Sequence, residues 1–197
     1  MVQFTRSFFS LCLVAASFAV PTKRTVAQVE ADIANIATQV TALDNDIKGF
    51  PASGLVGALN INTASTNLET TLNTATTDVK NTGAVDEADA TTILNSVKAI
   101  QPVIIDGLTR ISTEEPAFVN NTPFRRRLEF LIYMHRRLLP VAGIPALVLL
   151  DLQTLKTDTD AFGAALISAA PADLKAEATS ILSAIDGAFA TAIAAFS

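Results

Sequence analysis

The residues able to do chemistry are few. His135 is the only histidine and Cys12 the only cysteine in 197 residues. A metal site of imidazole or thiolate ligands needs three or four such groups, so none can be assembled from this chain. The sequence holds no Gly-x-Ser-x-Gly elbow, His-Glu-x-x-His helix or phosphate-cradling glycine loop. Carboxylates offer the remaining route to acid–base work. The close pairs, Asp44 with Asp46 and Asp158 with Asp160, are two residues apart. On a helix that spacing turns the two groups away from each other. His135 stands among arginines and reads as a surface histidine. The expectation is a protein that is not an enzyme and needs no cofactor.

One motif does carry chemistry, and it is processing. Arg6 precedes an apolar stretch from Phe8 to Val20, and Ser17-Phe18-Ala19 offers small residues where a signal peptidase reads. Residues 1–19 are thus expected to be a signal peptide. A short propeptide, 20–24, ends in the dibasic pair Lys23-Arg24, which kexin-type proteases of the fungal secretory route cut. Cys12 leaves with the signal peptide, so the mature chain would have no thiol. It would lean on helix packing rather than on the disulfides common in small exported domains. Losing Arg6, Lys23 and Arg24 leaves 11 basic against 19 acidic residues, a charge of −8. A surface of that sign repels phosphate backbones, so no nucleic-acid partner is expected.

The elements that would position any site are helical throughout. Val26, Val29, Ile33, Ile36, Val40, Leu43 and Ile47 recur at alternating spacings of three and four, one apolar seam of a helix over 25–49. Thr25 and Gln28 fit a capping box, and Gly49 and Pro51 stop the run. A second helix from about Leu55 to Lys80 is expected to bury Leu55, Leu59, Ala64, Leu68, Leu72, Ala75 and Val79 beneath a threonine-rich face. Asp86, Glu87 and Asp89 open the third, where carboxylates complement the helix dipole. Its stripe continues past Pro102, which predicts a kink near Ala99. Periodicity resumes at Pro145, and a last helix is expected with Pro171 in its first turn. No strand alternation occurs. The fold class is therefore an all-α, single-domain bundle of about five amphipathic helices over 25–197, following the signal peptide. Leu128 to Leu150 is apolar but interrupted by His135, Arg136 and Arg137, so no transmembrane segment is expected. Stripes rich in small residues leave room between helices. Eight positions are named as its lining: Ile100, Ile104, Leu147, Phe162, Leu166, Ile181, Ile185 and Phe189.

Several runs in this order resemble the fungal hydrophobic surface-binding protein A family, related to cell-wall galactomannoproteins. They are Lys23-Arg24-Thr25-Val26-Ala27-Gln28-Val29 with Asp32-Ile33, Ile100-Gln101-Pro102, Pro116-Ala117-Phe118, Asp151 through Thr159, and the tail from Ala165 through Pro171-Ala172-Asp173-Leu174 to Phe196. The resemblance implies a secreted or wall-associated helical protein that adsorbs to hydrophobic surfaces or polymers and recruits secreted hydrolases there. The related galactomannoproteins imply an alternative, fatty-acid or lipid binding in a cavity between helices. No catalytic residues carry over. Residues 119–139 depart from the family, in which Phe118 would lead straight to Pro140. The segment holds five arginines and the sequon Asn120-Asn121-Thr122, a site for N-glycosylation. A retained in-frame intron and a genuine basic insertion are the two readings of it. Without it the mature charge would be −12, from 6 basic and 18 acidic residues.

Overall fold

The computed structural model describes residues 25–120 and 143–197. The expected signal peptide, propeptide and Lys23-Arg24 site lie outside the described residues, as does the atypical segment beyond Asn120. Among the described residues five helices follow one another: α1 Val26–Gly49, α2 Gly54–Thr82, α3 Glu87–Asn120, α4 Gly143–Ala169 and α5 Lys175–Ala195. Among the described residues there is no strand.

The ends of these helices follow from local chemistry. Thr25 holds the extended N-cap position of α1, but its hydroxyl caps nothing. The expected capping box does not form, because the Gln28 amide turns forward to Asp32 at 2.9 Å. Phe50 to Ser53 link α1 to α2, with a cis bond between Phe50 and Pro51. Gly83 ends α2 at φ +78°, a conformation that an L side chain resists. Asp86 accepts the Asp89 backbone N–H at 3.0 Å and so caps α3. That helix runs unbroken through Pro102 and Pro116. Pro171 lies in the turn before α5, not in its first turn, because the helix starts only at Lys175.

Packing makes a closed ring. Taken in spatial order, α1 packs on α2, α2 on α4, α4 on α5, α5 on α3, and α3 back on α1, while α3 and α4 touch only slightly across the middle. Cross-links set the directions. Asn62 and Asn73 of α2 donate to Asp151 and Asp158 of α4, each at 2.9 Å, so these two helices run parallel. Gln39 of α1 reaches Thr71 of α2 at 2.8 Å across an antiparallel pair. Lys156 of α4 bridges to Asp186 of α5 at 3.1 Å, also antiparallel. Lys98 of α3 pairs with Glu177 of α5. The turns 83–86 and 170–174 therefore meet at one end of the bundle, joined by the Val85 N–H to Ala169 carbonyl bond at 3.0 Å.

Of the seam read from α1, Val29, Ile33, Ile36, Val40 and Ile47 are buried, and Val26 and Leu43 are half-buried. In α2 the expected stripe fails at Leu59, while the side chain of Leu55 lies outside the described residues. Leu59 is 55% exposed, and Ile61 and Ser65 take the inward positions instead. Helix α5 has a window of mean hydropathy 1.4, long and apolar enough by length and composition to cross a membrane. In the bundle its Ile181, Ile185, Phe189 and Ala192 face inward, packed against α3 and α4.

Candidate apolar cavity

Inside the ring lies an elongated cavity of about 170 Å³, lined by all five helices. Its wall on α1 extends from Val29 to Ile47, roughly 27 Å at 1.5 Å per residue. The volume is comparable to the ~150 Å³ engineered void that stays dry and takes in benzene. A gap of this kind follows from composition. The chain has no tryptophan and one tyrosine, so valine, isoleucine, leucine and alanine must fill a space between five helices. Among the described residues Phe162 and Phe189 are the two aromatic rings that reach it.

Of the eight positions expected to line such a space, seven do: Ile100, Ile104, Phe162, Leu166, Ile181, Ile185 and Phe189. Leu147 does not. It is 40% exposed on the outside of α4, and Val148 takes the inward place. Four consecutive apolar residues, Leu147 to Leu150, left the phase of that helix ambiguous. Asn120, of the sequon, is the last residue of α3.

Sequence reasoning missed the polar part of the wall, which is Asp44, Ser65, Thr82, Asp151 and Thr159. No lysine, arginine or histidine lines the cavity among the described residues. Asp44 is buried on α1 and paired with Lys48 one turn on and with Arg110 of α3 at 3.6 Å. Asp151 accepts from Asn62, and burial pushes its carboxyl above the ordinary range, a shift that the hydrogen bond partly offsets. On the same α2–α4 seam burial also raises Glu69, helped by the charges of Asp151 and Asp158. Asp158 is raised by burial against its bond from Asn73.

The outer carboxylates separate as their spacing predicted. Asp158 faces α2, whereas Asp160 faces α5, where Lys156 joins it at 2.7 Å and Asp186 at 3.1 Å. Burial and the neighbouring Asp186 raise Asp160, while Asp186 itself is lowered by Asp160 and Lys156 against its own desolvation. None of these three lines the cavity. Among the described residues no group of histidine, cysteine and carboxylate side chains could hold a metal ion.

A closed ring of five helices around an apolar void defines a cavity-bearing all-α bundle, the architecture of several proteins of known structure. Residues 26–168 match the model of the hydrophobic surface binding protein A family, and the chain belongs to that family. Afmp4p, solved in complex with palmitic acid, is 30% identical, with a TM-score of 0.70 over 87% of this chain and 99% of its own. Ligand binding domain 1 of the Penicillium marneffei MP1 protein, complexed with arachidonic acids, has the same fold at 15% identity, with a TM-score of 0.71 over 87% and 99% of the two chains. Domain 2 of that protein, complexed with multiple arachidonic acids, does so at 14% identity, with a TM-score of 0.69 over 89% and 98%. No curated protein sequence matches the chain.

Proposed function

We propose that the protein binds single-chain lipids, fatty acids among them, in the cavity between its helices, and works outside the cell or in its wall. The observation that carries this reading is the 170 Å³ apolar cavity running along the bundle axis. Each methylene that moves there from water contributes about 0.8 kcal/mol. The palmitic acid of Afmp4p and the arachidonic acids of the MP1 domains support the same class of cargo. Ile100, Ile104, Phe162, Leu166, Ile181, Ile185 and Phe189 are the contacts proposed for its chain. Titration of delipidated protein with palmitate tests the reading. Saturable uptake is expected, and its absence would refute the proposal.

Adsorption to hydrophobic surfaces, the property for which the family is named, is favoured by a separate observation. Val56 and Leu59 on α2 and Leu147 and Leu150 on α4 are 66, 55, 40 and 58% exposed. The two helices are parallel neighbours, so all four side chains lie near the end at which both begin. In this second reading the protein is an adaptor that sits on an apolar polymer and brings secreted hydrolases to it. Octyl-coated beads should deplete the protein from solution, and loss no greater than that of an inert protein would end this reading.

A further inference from the structure

Nearly every helical threonine in this protein satisfies itself. In α2 alone Thr63, Thr66, Thr70, Thr71, Thr74, Thr76, Thr77 and Thr82 each donate a hydroxyl to the carbonyl four residues back. Such back-bonding spends the donor locally. Ser65, in the middle of the same helix, breaks the habit. It is 3% exposed and lines the cavity. Its hydroxyl makes no hydrogen bond to any described residue. Buried polar groups are nearly always paired, because an orphaned one forfeits its hydration without return. An alanine would fill the same position at no such cost. A hydroxyl with no partner among the described residues, at the wall of a void, is a group open to one.

Its surroundings define what that partner can be. Gln39 pairs with Thr71, and Asn62 with Asp151. Counted along the helices from these pairs, Asp44, Ser65 and Asp151 lie at about one level of the bundle. Among the described residues the polar lining at that level is therefore two carboxylates and one hydroxyl, set among apolar side chains, with Phe189 facing them from α5. Lys48 and Arg110 are engaged with Asp44, and neither lines the cavity. Among the described residues, an anionic head would meet two carboxylates and no cation. An uncharged head would meet a free hydrogen-bonding group.

We propose that Ser65 anchors the uncharged, hydrogen-bonding head of a single-chain lipid, a long-chain alcohol or a protonated acid, whose tail fills the rest of the cavity. This rests on the reading of the cavity as a lipid site. It adds the position and the charge of the head. Thr159 is the runner-up anchor. Its hydroxyl is the other unbonded one in the lining, but it is only partly buried and lies deeper along the axis, facing the level of Asn73.

The test uses the neutral fluorophore N-phenyl-1-naphthylamine as the bound probe, displaced by dodecanol, dodecane or dodecanoate. Ser65→Ala should weaken dodecanol about five- to tenfold, the effect of one hydrogen bond, and leave dodecane and the probe within about twofold. At about pH 8, where the acid is ionised, wild-type protein should bind dodecanoate at least tenfold more weakly than dodecanol. A dodecanol loss in Thr159→Val but not in Ser65→Ala would overturn the assignment, as would equal shifts for dodecanol and dodecane. Dodecanoate bound as tightly as dodecanol would overturn the uncharged head. Wild-type protein that takes up no probe at all would sink the cavity reading itself and this inference with it.

Discussion

Replacing Phe162 with alanine puts the cavity to a quantitative test. Phe162 is 7% exposed, projects from α4 and forms part of the cavity wall. Removing the ring enlarges the void by about 100 Å³, which at 24 cal/mol per Å³ costs about 2.4 kcal/mol before the lost transfer free energy is added. The ring already faces empty space on one side, so it forfeits fewer contacts than one packed all round. The total should fall near the low end of the phenylalanine-to-alanine range, about 3 kcal/mol. For a domain of this size that lowers the melting temperature by about 6–12 °C. The enlarged cavity approaches the ~300 Å³ at which small-molecule sites begin. An apolar guest such as toluene, present at a hundred times its dissociation constant, would return about 2.7 kcal/mol. Thermal melts followed by helical circular dichroism, with and without toluene, measure both numbers, since the protein lacks tryptophan. A loss below about 1 kcal/mol would mean that the ring is not packed as described. A normal loss with no rise in melting temperature on adding toluene would mean that the interior is closed to guests.

Other expectations are directional. Burial raises Glu69, Asp151, Asp158 and Asp160, so the folded chain binds protons more tightly than the unfolded chain at these sites. Stability should then fall as pH rises through and above the ordinary carboxylate range, with Asp186, which is lowered, opposing the trend at its acid end. Urea midpoints at about pH 5 and pH 7 check this, and a lower midpoint at pH 5 would contradict it. At the α1–α3 contact Asp44 is 6% exposed at its side chain while Lys48 and Arg110 are 42 and 40% exposed. Removing both cations with Lys48→Met and Arg110→Met should therefore lower the urea midpoint more than Asp44→Leu does, because only the carboxylate would be left buried without its counter-charge. The reverse order would show that the cations are not what makes Asp44 tolerable. Finally, Val56→Ser, Leu59→Ser and Leu150→Ser combined should reduce retention on octyl beads. Each should change stability by no more than about 0.5 kcal/mol, as surface substitutions do.

The fold was legible wherever a helix has one apolar seam. In α1 the alternation of three and four left one possible inward face, and burial of Val29, Ile33, Ile36, Val40 and Ile47 follows it. Where apolar residues crowd several faces, periodicity loses its phase. Leu59 and Leu147 were both placed inside on that basis and both lie outside. The inward positions went to residues a binary pattern ranks lower, a serine in α2 and a valine in α4. Seven of the eight lining positions could be named because a cavity wall in a bundle is simply the core stripe of each helix. Ser65 could not, since nothing in the chain distinguishes a hydroxyl aimed at a void from one aimed at solvent. The ring order was equally hidden. Sequence neighbours predict antiparallel hairpins, and α1–α2 and α4–α5 are such pairs, but the pattern does not foretell that α2 packs beside α4 and α1 beside α3.

That order has a consequence for how the molecule comes into being. Helix α5, the last 21-residue helix of the chain, stands between α3 and α4, which otherwise barely meet. A polypeptide emerging N-terminus first can assemble α1 to α4 into an open trough with Ile33, Ile100 and Leu155 along its floor. It encloses nothing until Ile181, Ile185 and Phe189 arrive to roof it. An apolar guest encountered during synthesis could be laid into that trough from the side instead of being threaded in from an end. For this topology, taking on cargo and completing the fold can be one event, and the guest then serves as part of the core around which the final helix docks.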